Sequence, residues 1–379
     1  MSQSEFAARI DRSVAWVSQV ERGVRHIDRL SVLEMLAEKL DMPLSELASD
    51  EPVISARAPM SESAEQLRAV LLSTVQVADD RPTGTRPEVT QLASGVDEAW
   101  ALVHAGAYER LPALLAGLIT SIEQEFESPD AERPWELLAS IYHAMAAAFA
   151  KLGETDAAWI ASDRALNAAR LTKNPVLVAA GAFRLAVVFQ GARRHEYVER
   201  LASTIADTLE PRLDELGTTA QSVYGALTLQ RAVAAARAND ADKAYALLET
   251  ARSVADKVGP GRNDHHTEFG PLNVALHEVS VAVDLGDAGR ALRAASGIET
   301  AGLSPERHSR LLIDTARAHS QRRDSAQAVA CLVEAEASAP AMVHDHYAAR
   351  QMIGDLLALA DNPSPELLAL ARRSGVVRA

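Results

Sequence analysis

The chain has 379 residues, 48% of them hydrophobic, which excludes wholesale disorder and leaves room for a small domain beside a long helical array. Aromatic residues make up only 4%, and runs alternating β-branched with polar residues are rare, so helix-on-helix packing is the expected way to bury this surface. Cys331 stands alone, which excludes an intramolecular disulfide, a zinc finger and a CxxC redox pair, while a net charge of −14 confines any nucleic-acid contact to a local basic patch.

The fold class expected is all-α. No basic-then-apolar leader opens the sequence and every long apolar run is interrupted by charge, so a cytoplasmic location is expected, with no membrane partner. In chain order, Ser2 with Glu5 three residues later forms a capping-box pattern, and Phe6, Ala7 and Ile10 share one helical face. After Asp11-Arg12-Ser13, a second short helix runs from Val14 to Arg22, with Val17 and Val20 inward and Gly23 ending it. Two short helices across so tight a turn are the geometry of a helix-turn-helix. A third helix, from Arg29 to Leu40, would bury Leu30, Leu33, Leu36 and Ala37, and a turn over Met42 to Leu47 closes a domain at residues 1–48.

These strings, Ser-Gln-x-Glu-Phe-Ala-x-x-Ile followed by Ser-x-x-x-Val-Ser-x-Val-Glu-Arg-Gly, resemble the Cro-like, xenobiotic-response-element (XRE) family of DNA-binding domains over residues 2–47. The resemblance implies that Gln3 clamps a phosphate, that Val14, Ala15, Ser18 and Gln19 face the major groove, and that Arg22 and Arg25 hold the backbone. Gln19 is able to bond adenine bidentately, whereas Val14 and Ala15 offer only apolar contact to a thymine methyl. Arg9 to Arg29 includes five arginines against Asp11, Glu21 and Asp28. Family members place a further helix before the one starting at Ser2. The resemblance therefore implies a missing first helix, an arginine partner for Glu21, and cover for Phe6 and Val20.

Residues 49–87 read as a linker rich in breakers, such as Asp79-Asp80-Arg81-Pro82-Thr83-Gly84, containing one amphipathic helix from Ser61 to Ala78 on Leu67, Val70, Leu71 and Thr74. That helix could dock on the array or on a second copy of the chain.

Residues 88–379 carry a spaced template. Ala146, Phe149, Gly153, Ala158 and Ala165 lie at offsets 0, 3, 7, 12 and 19. The same offsets recover Ala232, Ala235, Asn239, Ala244 and Ala251, then Val279, Ala282, Gly286, Ala291 and Ile298, then Ala316, His319, Arg323, Ala328 and Ala335. The residue after each turn position is acidic (Glu154, Asp240, Asp287, Asp324), as suits the start of the following helix. Less regular units around Trp100 to Leu118 and Ala182 to Leu209 bring the expected number of hairpins to about six.

Helix, tight turn and second helix with small residues at the crossing resemble the tetratricopeptide repeat, including Pro340 five residues beyond Ala335. The resemblance implies an α-solenoid whose concave groove is lined by one stripe of each first helix. Projected onto this sequence, the stripe carries Trp100, His143, Lys151, Phe183, Gln190, Arg237, Asn273, Ser280, Arg317 and Gln321. Lys151, Arg237 and Arg317 would suit a peptide, a small acidic ligand or a partner protein. Residues from Val343 to Ala360 and from Glu366 to Arg373 read as a terminal cap.

Catalytic and cofactor chemistry lacks support: no phosphate-binding GxxxxGK[ST] loop, GxGxxG after a strand or GxSxG elbow occurs. Asp264-His265-His266-Thr267-Glu268 is the densest ligand-type run, but its spacing fits no metal site and its Gly/Pro borders suggest a solvated loop. His344-Asp345-His346 reads equally blandly. The layout is similar to actinobacterial regulators of this type and to the peptide-sensing regulators of Gram-positive bacteria. It implies a non-enzymatic, homodimeric transcriptional regulator acting on a duplex DNA operator, the alternative being a tetratricopeptide scaffold that does not bind DNA.

Overall fold

The computed structural model describes residues 2–10, 12, 14–21, 30–40, 61–73, 88–123, 132–344, 347–360 and 362–376. Every element among them is helical. The chain divides into two compact units, one comprising Pro59–Leu285 and the other Met1–Ala58 with Gly286–Ala379.

The amino-terminal helices are α1 (Gln3–Arg9), α2 (Val14–Glu21) and α3 (Leu30–Leu40). Ser2 caps α1 with the full reciprocal box: its hydroxyl accepts from the Glu5 amide, and the Glu5 carboxylate accepts from the Ser2 amide. Ala7, Ile10, Val17 and Leu36 form a small buried core, with Phe6, Trp16, Val32 and Met35 packed partly against it.

The Pro59–Leu285 unit opens with α4 (Glu62–Ser73), then α5 (Val89–Ala105) and α6 (Leu111–Glu123). Four helices in two hairpins follow: α7 (Glu132–Lys151) with α8 (Thr155–Leu171), and α9 (Pro175–Gly191) with α10 (His195–Leu209). The third such pair is α11 (Leu213–Arg237), bent at Gly217, with α12 (Ala241–Val258), and α13 (Pro271–Asp284) closes the unit. Consecutive helices pack as pairs, in the manner of a helical repeat array. The template alanines, among them Ala146, Ala158, Ala165, Ala232, Ala244 and Ala251, are all buried where the paired backbones approach. Ser61 caps α4, and Leu67, Val70 and Leu71 enter the same core as α5 to α8, so the helix expected in the linker docks on the array.

The turns explain why the template recurs. Gly153, Asn239, Gly286 and Arg323, the offset-7 residues, all have φ between 62° and 76°, the left-handed conformation that ends a helix. The next residue then donates its amide to the offset-3 carbonyl, as Glu154 does to Phe149, Asp240 to Ala235 and Asp324 to His319. Asp240, Asp287 and Asp324 cap the following helix by accepting from the amides of Lys243, Arg290 and Gln327. Glu154 departs from this pattern. Its buried carboxylate instead takes Arg68 of α4, which also holds Asp156. The acidic residue expected to cap α8 therefore fastens α4 to it.

In the other unit, α14 (Ala288–Ser296), α15 (Pro305–Gln321) and α16 (Ser325–Ser338) precede three further helices, α17 (Pro340–His344), α18 (Tyr347–Leu359) and α19 (Pro365–Arg373). Ile313, Leu332, Val343, Ile353, Leu356 and Leu370 share one core. Glu336 on α16 accepts from Arg373 and lies 2.7 Å from His344 Nε2, joining three helices. Asp345 and His346 lie outside the described residues. No helix among the described residues is long and apolar enough to cross a membrane.

Candidate functional site

The residues projected to line a groove fall into separate settings. Gln190 on α9 and Arg237 on α11 hold each other: Arg237 donates to the Gln190 carbonyl at 3.2 Å and to its Oε1 at 3.1 Å, and pairs with Asp284 of α13 at 3.2 Å. Gln190 Nε2 also donates to the Gln230 carbonyl at 2.8 Å. This is a bracket across three helices, so Arg237 serves packing here. Arg317 pairs with Asp314 one turn earlier on α15. Lys151 is exposed at the end of α7, and Asn273 is half-buried at the start of α13.

Trp100 and His143 do converge. Trp100 on α5 is 3% exposed, its Nε1 donating to Ser140 Oγ on α7 at 3.1 Å. Its ring is covered by His266, stacked at 3.7 Å with planes only 11° apart. His104 lies 5.3 Å from His266, and the Arg184 guanidinium sits 5.4 Å from the Trp100 ring, within cation–π range. Arg184 donates to the His266 carbonyl at 3.2 Å.

The segment that brings His266 there is the run read from sequence as a solvated loop. It is docked. Between α12 and α13 it meets residues from three helices: Trp100 on α5, Arg184 on α9, and Thr219 and Gly225 on α11. Phe269 is fully buried and belongs to the same core as Val176, Ala179, Ala180 and Phe183 of α9 and Tyr224 of α11. Gly225 makes this possible, because a Cβ there would collide with the Phe269 ring. Asp264 accepts from Thr219 at 3.3 Å and from Arg262 at 2.6 and 2.8 Å. The physical reason for the difference is that Phe269 supplies apolar burial that the neighbouring polar run conceals.

This docking is strained and incompletely satisfied. His265, His266 and Glu268 all adopt left-handed φ of 48–56°, at about 1–2 kcal/mol each for non-glycine residues. Arg184 is 9% exposed and its Nε has no hydrogen-bond partner among the described residues; neither do His143 Nε2 and His266 Nδ1. Burial lowers Arg184 to about 10, against the pull of Glu268. Burial, with help from His104, Arg184 and His265, lowers His266 to about 3. His143 is pushed well below the usual imidazole range by burial and by the positive or titratable groups Arg184, His265 and His266. Asp264 loses stability of its charge to burial, yet its bonds to Arg262 hold it below the carboxylate norm. Both imidazoles are therefore neutral at pH 7.

Arg184 was not among the candidates drawn from sequence. The available signal was its isolation: in Pro175–Gly191 it is the one charged residue of an otherwise apolar and amide-bearing helix. No group of three or more His, Cys, Asp or Glu among the described residues is arranged to hold a metal ion.

Of the expected DNA-contacting residues, Gln3 donates to Glu21 Oε2 at an exposed position, so Glu21 is engaged by α1 of this same domain. Val14 is 46% exposed at the start of α2, and Ser18 is half-buried. Ala15 and Gln19 belong to α2 with their side chains outside the description, and Arg22 and Arg25 lie outside the described residues. No protein-family model and no curated protein matches this chain.

Proposed function

We propose that this protein is a homodimeric transcriptional regulator: an XRE-like helix-turn-helix in residues 1–48 contacts duplex DNA, and a tetratricopeptide-like array binds a peptide-type ligand. The observation supporting it most is that the face around Trp100 and Arg184 already accommodates a polypeptide segment, with an aromatic slot, a stacking platform and a buried cation. For the DNA half, the support is the capped α1 followed closely by α2, whose first residue is open to solvent. Ligand binding would act by changing the population of DNA-competent dimers.

The test is a titration of the full chain with mixed-sequence duplex DNA at several salt concentrations. If Arg22 and Arg25 of both protomers neutralise phosphates, log K falls against log salt with a slope of about −4. No binding at low salt removes the regulator reading. It would leave a scaffold, which the net charge of −14 and the Gln3–Glu21 bond favour.

A further inference from the structure

We propose that the segment Asp264–Phe269 is a resident stand-in occupying a peptide-recognition site in cis, and that the ligand which replaces it is a peptide presenting a carboxylate next to an aromatic ring. This inference rests on the array binding a peptide-type ligand and names that ligand's chemistry.

Two halves of the site are answered unequally by the resident segment. On the apolar side the fit is close: Phe269 fills the slot opened by Gly225, and His266 covers Trp100. The polar side is left short. Arg184 is a buried guanidinium that donates to the segment's His266 carbonyl, while its Nε remains without a hydrogen-bond partner among the described residues. A planar guanidinium in such a place is built for two parallel bonds to a carboxylate. His143 on α7, 3% exposed, adds a second unanswered polar atom, its Nε2.

Glu268 immediately precedes Phe269, is exposed, and raises the Arg184 pKa through space. An acidic residue before an aromatic one is therefore the spacing at which a ligand would serve both halves at once. The segment itself is held there with three left-handed non-glycine residues, a conformation that release would relax. Bonds from Arg262 to Asp264 and from the Glu268 amide to Asn263 shape it locally, and Thr219 of α11 is its side-chain tether at Asp264. A segment that matches the apolar features, pays in backbone strain and leaves the buried cation underused is suited to being displaced.

The probe is the labelled eight-residue peptide with the sequence of Asn263–Gly270, read by fluorescence anisotropy. It is offered to the wild-type chain, to Phe269→Ala, and to a variant with residues 259–270 replaced by twelve Gly and Ser residues. We expect saturable binding to both variants, at least about tenfold tighter than to the wild type, whose site is filled. Within the peptide, Phe269→Ala abolishes binding and Glu268→Gln weakens it about tenfold through the lost attraction of the carboxylate for the Arg184 guanidinium. A variant with the wild-type helical spectrum that does not bind the peptide overturns the proposal. So does loss of the fold in both variants, since the segment is then part of the core. Neither outcome touches the DNA titration, and failure of that titration leaves this result standing.

Discussion

Two kinds of connection join helices in the Pro59–Leu285 unit, and they are held by opposite means. The turn from α7 to α8 needs only its own neighbourhood: Gly153 at φ 76° and the Glu154 amide bonded back to the Phe149 carbonyl. The connection from α12 to α13 draws its position from residues far along the chain, Trp100, Arg184 and Gly225. Local turns define the array, whereas the long connection covers one of its faces. The first kind is architecture and the second is the candidate for function.

The largest effect that separates the two comes from Phe269→Ala. Removing a fully buried phenylalanine costs about 3–5 kcal/mol if the cavity persists. If the segment instead detaches as a unit, the thermal midpoint falls far less than that, and only the segment becomes accessible to protease.

Next in size is acid. His266 and His143 are held neutral, with His104 on α5, Arg184 on α9, Glu136 on α7, and Asp264, His265 and Glu268 on the segment around them. Their folded pKa values lie below the unfolded value of about 6.5. Docking is therefore complete above that pH and is lost progressively as pH falls towards about 3 for His266. Thermal midpoints measured between pH 7 and pH 5 should fall in the wild type and fall less in His266→Asn, in a window where carboxylates remain ionised. Equal slopes would show that the stacked imidazole does not couple to docking.

The smallest effect belongs to the turns. Gly153→Ala forces a side chain into the left-handed region and should lower stability by about 1 kcal/mol, read by denaturant midpoint. The segment's protection should be unchanged by it.

The same contrast explains what could be read from the sequence. Gly153, Asn239, Gly286 and Arg323 were found by spacing alone because their conformation is decided within six residues. Trp100 and His143 share the stripe projected from the repeat template; Trp100 is stacked on by His266, and His143 lies within electrostatic reach of His266 and Arg184. Arg237 and Gln190 shared that stripe, yet the pattern gave no sign that they satisfy each other across α9 and α11. Periodicity reports which way a residue faces and is silent about what it meets. The docking of Asp264–Phe269 was hidden for that reason, since a polar run between glycines reads as solvent-facing until Phe269 is set against Gly225. In the amino-terminal helices, the cap at Ser2 is plain from sequence, while the bond from Gln3 to Glu21 has no signal in the pattern.

A displaceable segment opens independently of the array that it covers. Native-state amide exchange of the wild-type chain measures this directly. We predict that the amides of His266, Thr267 and Glu268, which donate to Asn263 and Asp264 of their own segment, exchange by a local opening while those at the centre of α11, around Tyr224 to Thr228, stay protected. Exchange of both sets only through the same global unfolding would contradict it.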